Sequence, residues 1–227
     1  IKCNLLITEN FFVVSRPIRQ MVSKSSATTQ TQILNAAERL FAEQGLHATS
    51  LRSIVKAAGV NLAAVHYHFG SKEDLIFAAL KRAIEPIVAA QIQQLIAVEE
   101  GEIPHSVETV SHAFFASVLE VISLKQNGQG LIQVRFIGRC CTEPATEEFV
   151  AQEFRLSQKL FTQAFQQLLP DCPKSEIEWK FDFAIAVLIR QLCMSFQGKT
   201  AFQDFSPGEV ELTIQRLVRF TAAGMRS

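Results

Sequence analysis

A membrane-crossing helix needs ~20 consecutive apolar residues, and this chain has nothing close. Its longest run of that kind, Phe183 to Ile189, is far too short. Cysteine is sparse and odd in number (Cys3, Cys140, Cys141, Cys172 and Cys193), with no C-x-x-C and no Cys/His ligand spacing. That argues against a disulfide framework and a zinc site, and for reduced thiols in a cytoplasmic protein. The G-x-S-x-G elbow, H-E-x-x-H, the P-loop and G-x-G-x-x-G are all missing, as is any Ser/His/Asp order. The expectation is therefore a protein that is not an enzyme and holds no metal or cofactor. Alternating strand patterns and internal repeats are absent too. An excess of one charge is also lacking, since 22 Lys and Arg balance 22 Asp and Glu.

That neutrality hides an asymmetry. Residues 1–85 carry ten Lys and Arg against six Asp and Glu, a net of +4, and residues 86–227 carry twelve against sixteen, a net of −4. A basic N-terminal part fused to an acidic remainder suits a domain facing nucleic acid. The hydrophobic fraction, 48%, supplies ample core.

The basic part centres on Ala48 to Lys72, ATSLRSIVKAAGVNLAAVHYHFGSK. Leu51, Ile54, Val55 and Ala58 recur at i, i+3, i+4 and i+7, one stripe of a short helix. Thr49 and Ser50 are its N-cap candidates, and Gly59 follows it, where a chain can turn through positive φ. Asn61 caps a second short helix, Leu62 to Tyr67, with Val65 turned back toward the first. Two short helices joined by a Gly-containing turn form a helix-turn-helix, whose second helix enters the DNA major groove.

Upstream, residues 1–20 show no helix period, and the first methionine is Met21. We expect Met21 to be the natural start. The competing reading is an arm touching DNA through Arg16 and Arg19. A first helix starts at a Thr cap, Thr29 or Thr31, and runs to Gln44, burying Ile33, Leu34, Ala37, Leu40 and Phe41, with Gly45 ending it. Ser71 and Asp74 make a capping box for a fourth helix, and Pro86 ends or kinks it, placing a domain boundary at 85–87. Beyond it the spacing predicts only helices: Ile87–Val98, one marked by Val107 to Ile122 and closed by the turn at Asn127–Gly130, Leu131–Cys140, Thr142–Pro144 to about Leu169, a helix capped by Ser175 and Glu178, and one capped by Ser206 and Glu209 with Pro207 at its first position. The fold class is all-α: residues 1–28 extension or linker, 29–85 DNA-binding domain, 86–227 helical ligand-binding and dimerisation domain.

AAERLFAEQGLHATSLRSI, the turn AAGV, a helix ending YHF and the following SKEDL occur in that order between about Thr31 and Lys81. This segment resembles the DNA-binding domain of the TetR family of transcriptional regulators. VNLAAVHYHFGSKE is similar to a subgroup reading NLAAV-x-YHF, and LIQVRFIGRCCTEPATEEF, residues 131–149, to its fatty-acid-responsive branch. The resemblance implies a homodimeric repressor that binds a palindromic double-stranded DNA operator, is released by a small-molecule effector, and does not associate with membranes. Carried over by position, Thr49 and Lys72 hold phosphates at helix starts, and Tyr67 and His68 contact phosphates. Arg52, Asn61, Ala63, Ala64 and His66 approach base edges, the alanines suiting a thymine methyl. Leu62 departs from the Lys or Arg common in the family at that position. His66 and His68, two apart on a helix, do not share a face as a metal pair would.

The resemblance also implies an effector site among the C-terminal helices. The apolar candidates for its lining are Phe114, Phe115, Val118, Ile132, Phe136, Phe154, Phe161 and Phe165. Arg135 has no acid at i±3 or i±4. It takes the carboxylate or phosphate of an acyl-type effector, or else a long-range salt bridge to Glu120 or Asp182. Arg139 has a partner four residues on in Glu143, provided the helix continues past the break at Thr142. The last two helices supply the dimer interface through Phe181, Ile185, Leu188, Leu192, Val210, Ile214, Leu217 and Val218. The helix of residues 175–196 is apolar on two sides, with Phe183, Val187 and Met194 on the second, and so needs two neighbours. The alternatives are a redox-sensing regulator working through Cys140 and Cys141, and a helical binding module that does not touch DNA.

Overall fold

The computed structural model describes residues 24–123, 129–194 and 207–227, all of whose regular elements are α-helices. In chain order they are α1 (Lys24–Gln44), α2 (Leu51–Ala58), α3 (Leu62–Phe69), α4 (Lys72–Glu99), α5 (Val107–Ser123), α6 (Gln129–Cys140), α7 (Pro144–Leu168), α8 (Lys174–Met194) and α9 (Pro207–Arg226). The expectations for residues 1–20, Met21, Ser206 and the start of the Asn127 turn lie outside the described residues. No helix among the described residues is long and apolar enough to cross a membrane.

Two cores divide the molecule. The first joins Ile33, Ala37 and Phe41 of α1 to Ile54 of α2, Val65 of α3, and Leu75, Ala79 and Leu80 of α4, and reaches Phe136 of α6. The second gathers Ile87 and Leu95 of α4, Phe114 and Phe115 of α5, Phe161 and Phe165 of α7, Phe181 of α8 and Ile214 of α9. At its centre Phe114 meets Phe161 and Phe181 edge-on at 5.1 and 4.8 Å between ring centroids, and Phe165 meets Phe181 at 5.3 Å. Each such pair adds ~0.5–1.5 kcal/mol beyond area burial. Helix α5 is enclosed by α4 and α9, so every side chain from Ala113 to Leu119 is buried.

Helix α4 belongs to both cores, so of the two outcomes expected at Pro86, an end or a kink, the end is corrected. It runs unbroken from Lys72 to Glu99 with Pro86 inside. Pro86 lies on the exposed side, where the carbonyl it leaves without an N–H partner can be hydrated. Ala83, Ile84 and Ile87 around it are buried and carry the helix through.

Two start signals are also corrected. Helix α1 begins at Lys24, so Thr29 and Thr31 lie within it, and the Thr31 hydroxyl donates to the Ala27 carbonyl one turn back. Helix α8 begins at Lys174, directly after Pro173, with Ser175 in its first turn and Glu178 paired with Lys174 at 3.3 Å.

Candidate nucleic-acid interface and interior cavity

Local chemistry builds the helix-turn-helix. Ser50 caps α2, its Oγ accepting the Ser53 N–H at 3.1 Å while Ser53 Oγ accepts the Ser50 N–H. Gly59 ends α2 in the left-handed region at φ 67°, where a side chain would be strained. Asn61 caps α3, Oδ1 accepting the Ala64 N–H at 2.8 Å. Ser71 and Asp74 form the reciprocal box at the start of α4. Ile54, Val65 and Phe69 face inward and fix the two short helices against α1 and α4.

What remains outside is the candidate interface. Arg52 and Lys56 of α2 are exposed, as are Asn61, Leu62, Ala63, His66 and Tyr67, while Ala64, His68 and Lys72 are half-buried. Tyr67 is 84% exposed, its ring meeting the edge of His68 at 5.1 Å between centroids. The His66 Nδ1 lies 2.7 Å from the Gly70 carbonyl. A carbonyl only accepts, so Nδ1 carries a proton and donates to it. Lys72 Nζ reaches the His47 carbonyl at 3.5 Å and remains beside the α4 N-terminus.

Thr49 is a correction. It is 0% exposed, and its hydroxyl donates to the Leu40 and Gly45 carbonyls at 3.1 and 2.8 Å. It ties off the C-terminal end of α1 and cannot reach a phosphate. The outer position at this helix start belongs to Ser50.

The helical part contains a cavity of about 210 Å³ lined from α4, α5, α6, α7 and α8. Of the residues proposed for an effector site, Phe114, Val118 and Phe154 are among its walls, with Ile87, Gln91, Ile137, Cys141, Val150 and, at its exposed side, Glu147 and Ala151. Phe115, Ile132, Arg135, Phe136, Phe161 and Phe165 are not among its walls. Phe115, Phe161 and Phe165 are packed solid in the second core, and Phe136 stacks on Phe41 at 5.8 Å in the first. Ile132 packs against that first core. Arg135 lies about 200° round α6 from Ile137, which faces the cavity, so it points the other way. Its Nε is buried without a hydrogen-bond partner, and it forms no ion pair with Glu120 or Asp182 among the described residues. Arg139 does not take Glu143: its Nε donates to the Ala42 carbonyl at 3.0 Å, in the last turn of α1, and Glu143 bonds His47 Nε2 at 2.8 Å. A cation at a helix C-terminus is favourably placed, and both contacts fasten the α6–α7 corner to the segment leading into α2.

The expected dimer residues are corrected likewise. Phe181, Leu188, Leu192, Val210, Ile214 and Leu217 are buried inside their own subunit, and Ile185, Leu188 and Leu192 line the cavity. Ile185 and Val218, half-buried, pack against the second core. Among the described residues, the large apolar side chains left exposed on these helices are Trp179 (56% exposed) and Phe183 (54%) of α8, and Leu212 and Phe220 of α9.

Cys140 is fully buried, and that burial pushes its thiol up to about 12. Burial and a raised thiol are the setting of a small packing residue and do not favour an oxidation sensor at this position. Sequence reading missed Gln91. Its signal was a polar residue on the α4 stripe of Ile87, Leu95 and Val98, four residues from each of the first two.

Comparison with known proteins agrees with this architecture. Residues 33–79 match the model "Bacterial regulatory proteins, tetR family", and residues 112–224 match "Tetracyclin repressor-like, C-terminal domain". The HTH-type transcriptional regulator UidR of Escherichia coli is 31% identical over 139 residues, 58% of this chain and 67% of that one. The chain belongs to the TetR family. It is a DNA-binding transcriptional regulator of that family. The HTH-type transcriptional repressor ComR of Escherichia coli is 28% identical over 136 residues, 60% of this chain and 61% of that protein. A tetR-family transcription regulator from Shewanella sp. PV-4 shares the fold, with a TM-score of 0.61 at 16% identity, covering 84% of this chain and 96% of that one.

Proposed function

We propose that this TetR-family regulator is a cytoplasmic repressor that binds a roughly palindromic operator as a homodimer and lets go when a small apolar effector enters the cavity. Residues 29–85 form the DNA-binding unit and residues 86–227 the effector and dimer unit. The observation that carries the DNA reading is Tyr67, a large aromatic 84% exposed on the outer face of α3, whose one ring contact among the described residues is the edge of His68. Unlike a core residue, it has a role only toward a partner, and a helix-turn-helix offers DNA as that partner.

In this reading Tyr67, His68 and Lys72 hold phosphates, while Arg52, Ala63, Ala64 and His66 face base edges. Asn61 caps α3 and acts mainly by keeping its N-terminus in place. Trp179, Phe183, Leu212 and Phe220 supply the subunit contact, since four large apolar side chains on two neighbouring helices are exposed in the single chain. Two α3 helices related by a two-fold axis then meet successive major grooves ~34–36 Å apart, or further apart on longer sites.

Selecting bound sequences from a random DNA pool tests the reading. A two-fold symmetric site is expected, with binding that weakens steeply with salt. Tyr67→Ala should lower affinity at least tenfold while leaving thermal stability within ~0.5 kcal/mol. Lys72→Ala should weaken all sequences alike, and His66→Ala should change which sequences are selected. No enrichment above a non-binding control, or an unchanged affinity for Tyr67→Ala, would refute the proposal.

A further inference from the structure

The cavity has a definite chemistry. Its walls are apolar except for Gln91, Gln158, Cys141 and Glu147, and no Lys, Arg or His among the described residues lines it. Glu147 is exposed and marks the mouth. A carboxylate drawn inside would lose its water without meeting a cation, and it would pass an acidic group on the way in. Burying an unpaired charge is among the costliest things a binding site can ask.

Gln91 supplies an oriented polar group in the interior. It is fully buried, and its Oε1 accepts the Ser157 hydroxyl at 2.6 Å. Its Nε2 lies 3.5 Å from the Phe114 carbonyl, at the outer limit of a hydrogen bond. Because that carbonyl only accepts, the amide is held with Nε2 on the Phe114 side and Oε1 on the Ser157 side. One N–H is then weakly used, and the second makes no hydrogen bond among the described residues. For size, an engineered apolar cavity of about 150 Å³ holds benzene, so about 210 Å³ suits a ring with a short substituent.

We propose that the cavity binds a neutral, largely apolar molecule the size of a substituted benzene, through one hydrogen bond from Gln91 Nε2 to an acceptor on the ligand, and that it rejects carboxylates. This deepens the reading of the cavity as the effector site and replaces the acyl-carboxylate ligand that the sequence suggested through Arg135.

The test is isothermal titration of the full chain with four probes of similar size: acetophenone, cumene, benzoate and benzylammonium. Acetophenone should bind tightest, cumene about tenfold more weakly for want of the acceptor, and benzoate should show no saturable binding. Gln91→Leu should bring acetophenone and cumene together. Ala151→Phe, at the exposed mouth where it does not disturb the core, should block every probe. Equal binding of benzoate and acetophenone, no preference for acetophenone over cumene, tighter binding of benzylammonium, or no saturable binding by any probe would each overturn the proposal. Operator release is read separately by fluorescence anisotropy of labelled DNA. A probe that binds with the expected ranking yet never releases DNA would refute the effector reading and leave the ligand class standing.

Discussion

The DNA-facing region and the helical body meet along α4 but are held together by different means. In the first, short helices are ended by their own residues: Ser50, Gly59, Asn61 and Ser71 each satisfy or turn the backbone locally. In the second, long helices are held by packing, with prolines at the starts of α7 and α9 and phenylalanines between them. The difference has a functional consequence. A region whose shape is set by backbone caps and three or four inward side chains leaves its outer surface free for DNA contacts. A region set by packing can make room for a ligand only by leaving a space unfilled, as it does between Phe114 and Leu188.

Substitutions can break this contrast if it is wrong. Phe161→Ala, deep in the body, should cost about 3–5 kcal/mol in denaturant unfolding, because it removes a fully buried ring from the aromatic cluster and leaves a void. Gly59→Ala should cost about 1–2 kcal/mol. Nothing lies within 4 Å of the added methyl, so the whole loss is left-handed backbone strain and any greater loss would mean crowding. Ser71→Ala should cost about 1 kcal/mol, the usual value of an N-cap, measured by the same unfolding curve. The effect of Arg226→Ala should be slight. Arg226 hydrogen-bonds Glu108 at 2.5 Å and holds that carboxyl below its ordinary value of 4.5. A depressed carboxyl stabilises the fold above its unfolded value and loses that contribution as pH falls through the folded one. The difference in Tm between parent and variant should therefore be present at neutral pH and close at acid pH. A difference that persists below the folded value would show that the loss is one of packing.

The DNA-facing region was legible because its signals are local. The Leu51–Ala58 stripe, the Gly59 turn and the caps at Ser50, Asn61 and Ser71 can be read along the chain without knowing what lies beside it. Thr49 was misread for the same reason: two hydroxyl residues stood before α2, and only the position of α1 decides which one turns inward to the Leu40 carbonyl. Pro86 did not end α4 because the cost of a proline inside a helix depends on whether its face meets water. In the body, α8 carries two apolar stripes and α9 one with outliers, and spacing alone cannot say which stripe meets its own subunit. The phenylalanines expected around a ligand proved mostly to be packed against one another, because periodicity marks burial but does not distinguish a wall from a filled core.

The sequence by itself determined the element order, the all-helical class, the helix-turn-helix with its caps, and the resemblance that names the family, since each is written in residues within one or two turns of each other. Tertiary structure alone decided that α4 passes through Pro86, that Thr49 and Arg139 brace the end of α1, that Arg135 faces away from the cavity, and that Gln91 stands inside it. Those outcomes depend on which helix lies across from a given face. Residues such as Arg139 and Ala42, or Ser157 and Gln91, are brought within hydrogen-bonding reach only when helices distant in sequence pack together.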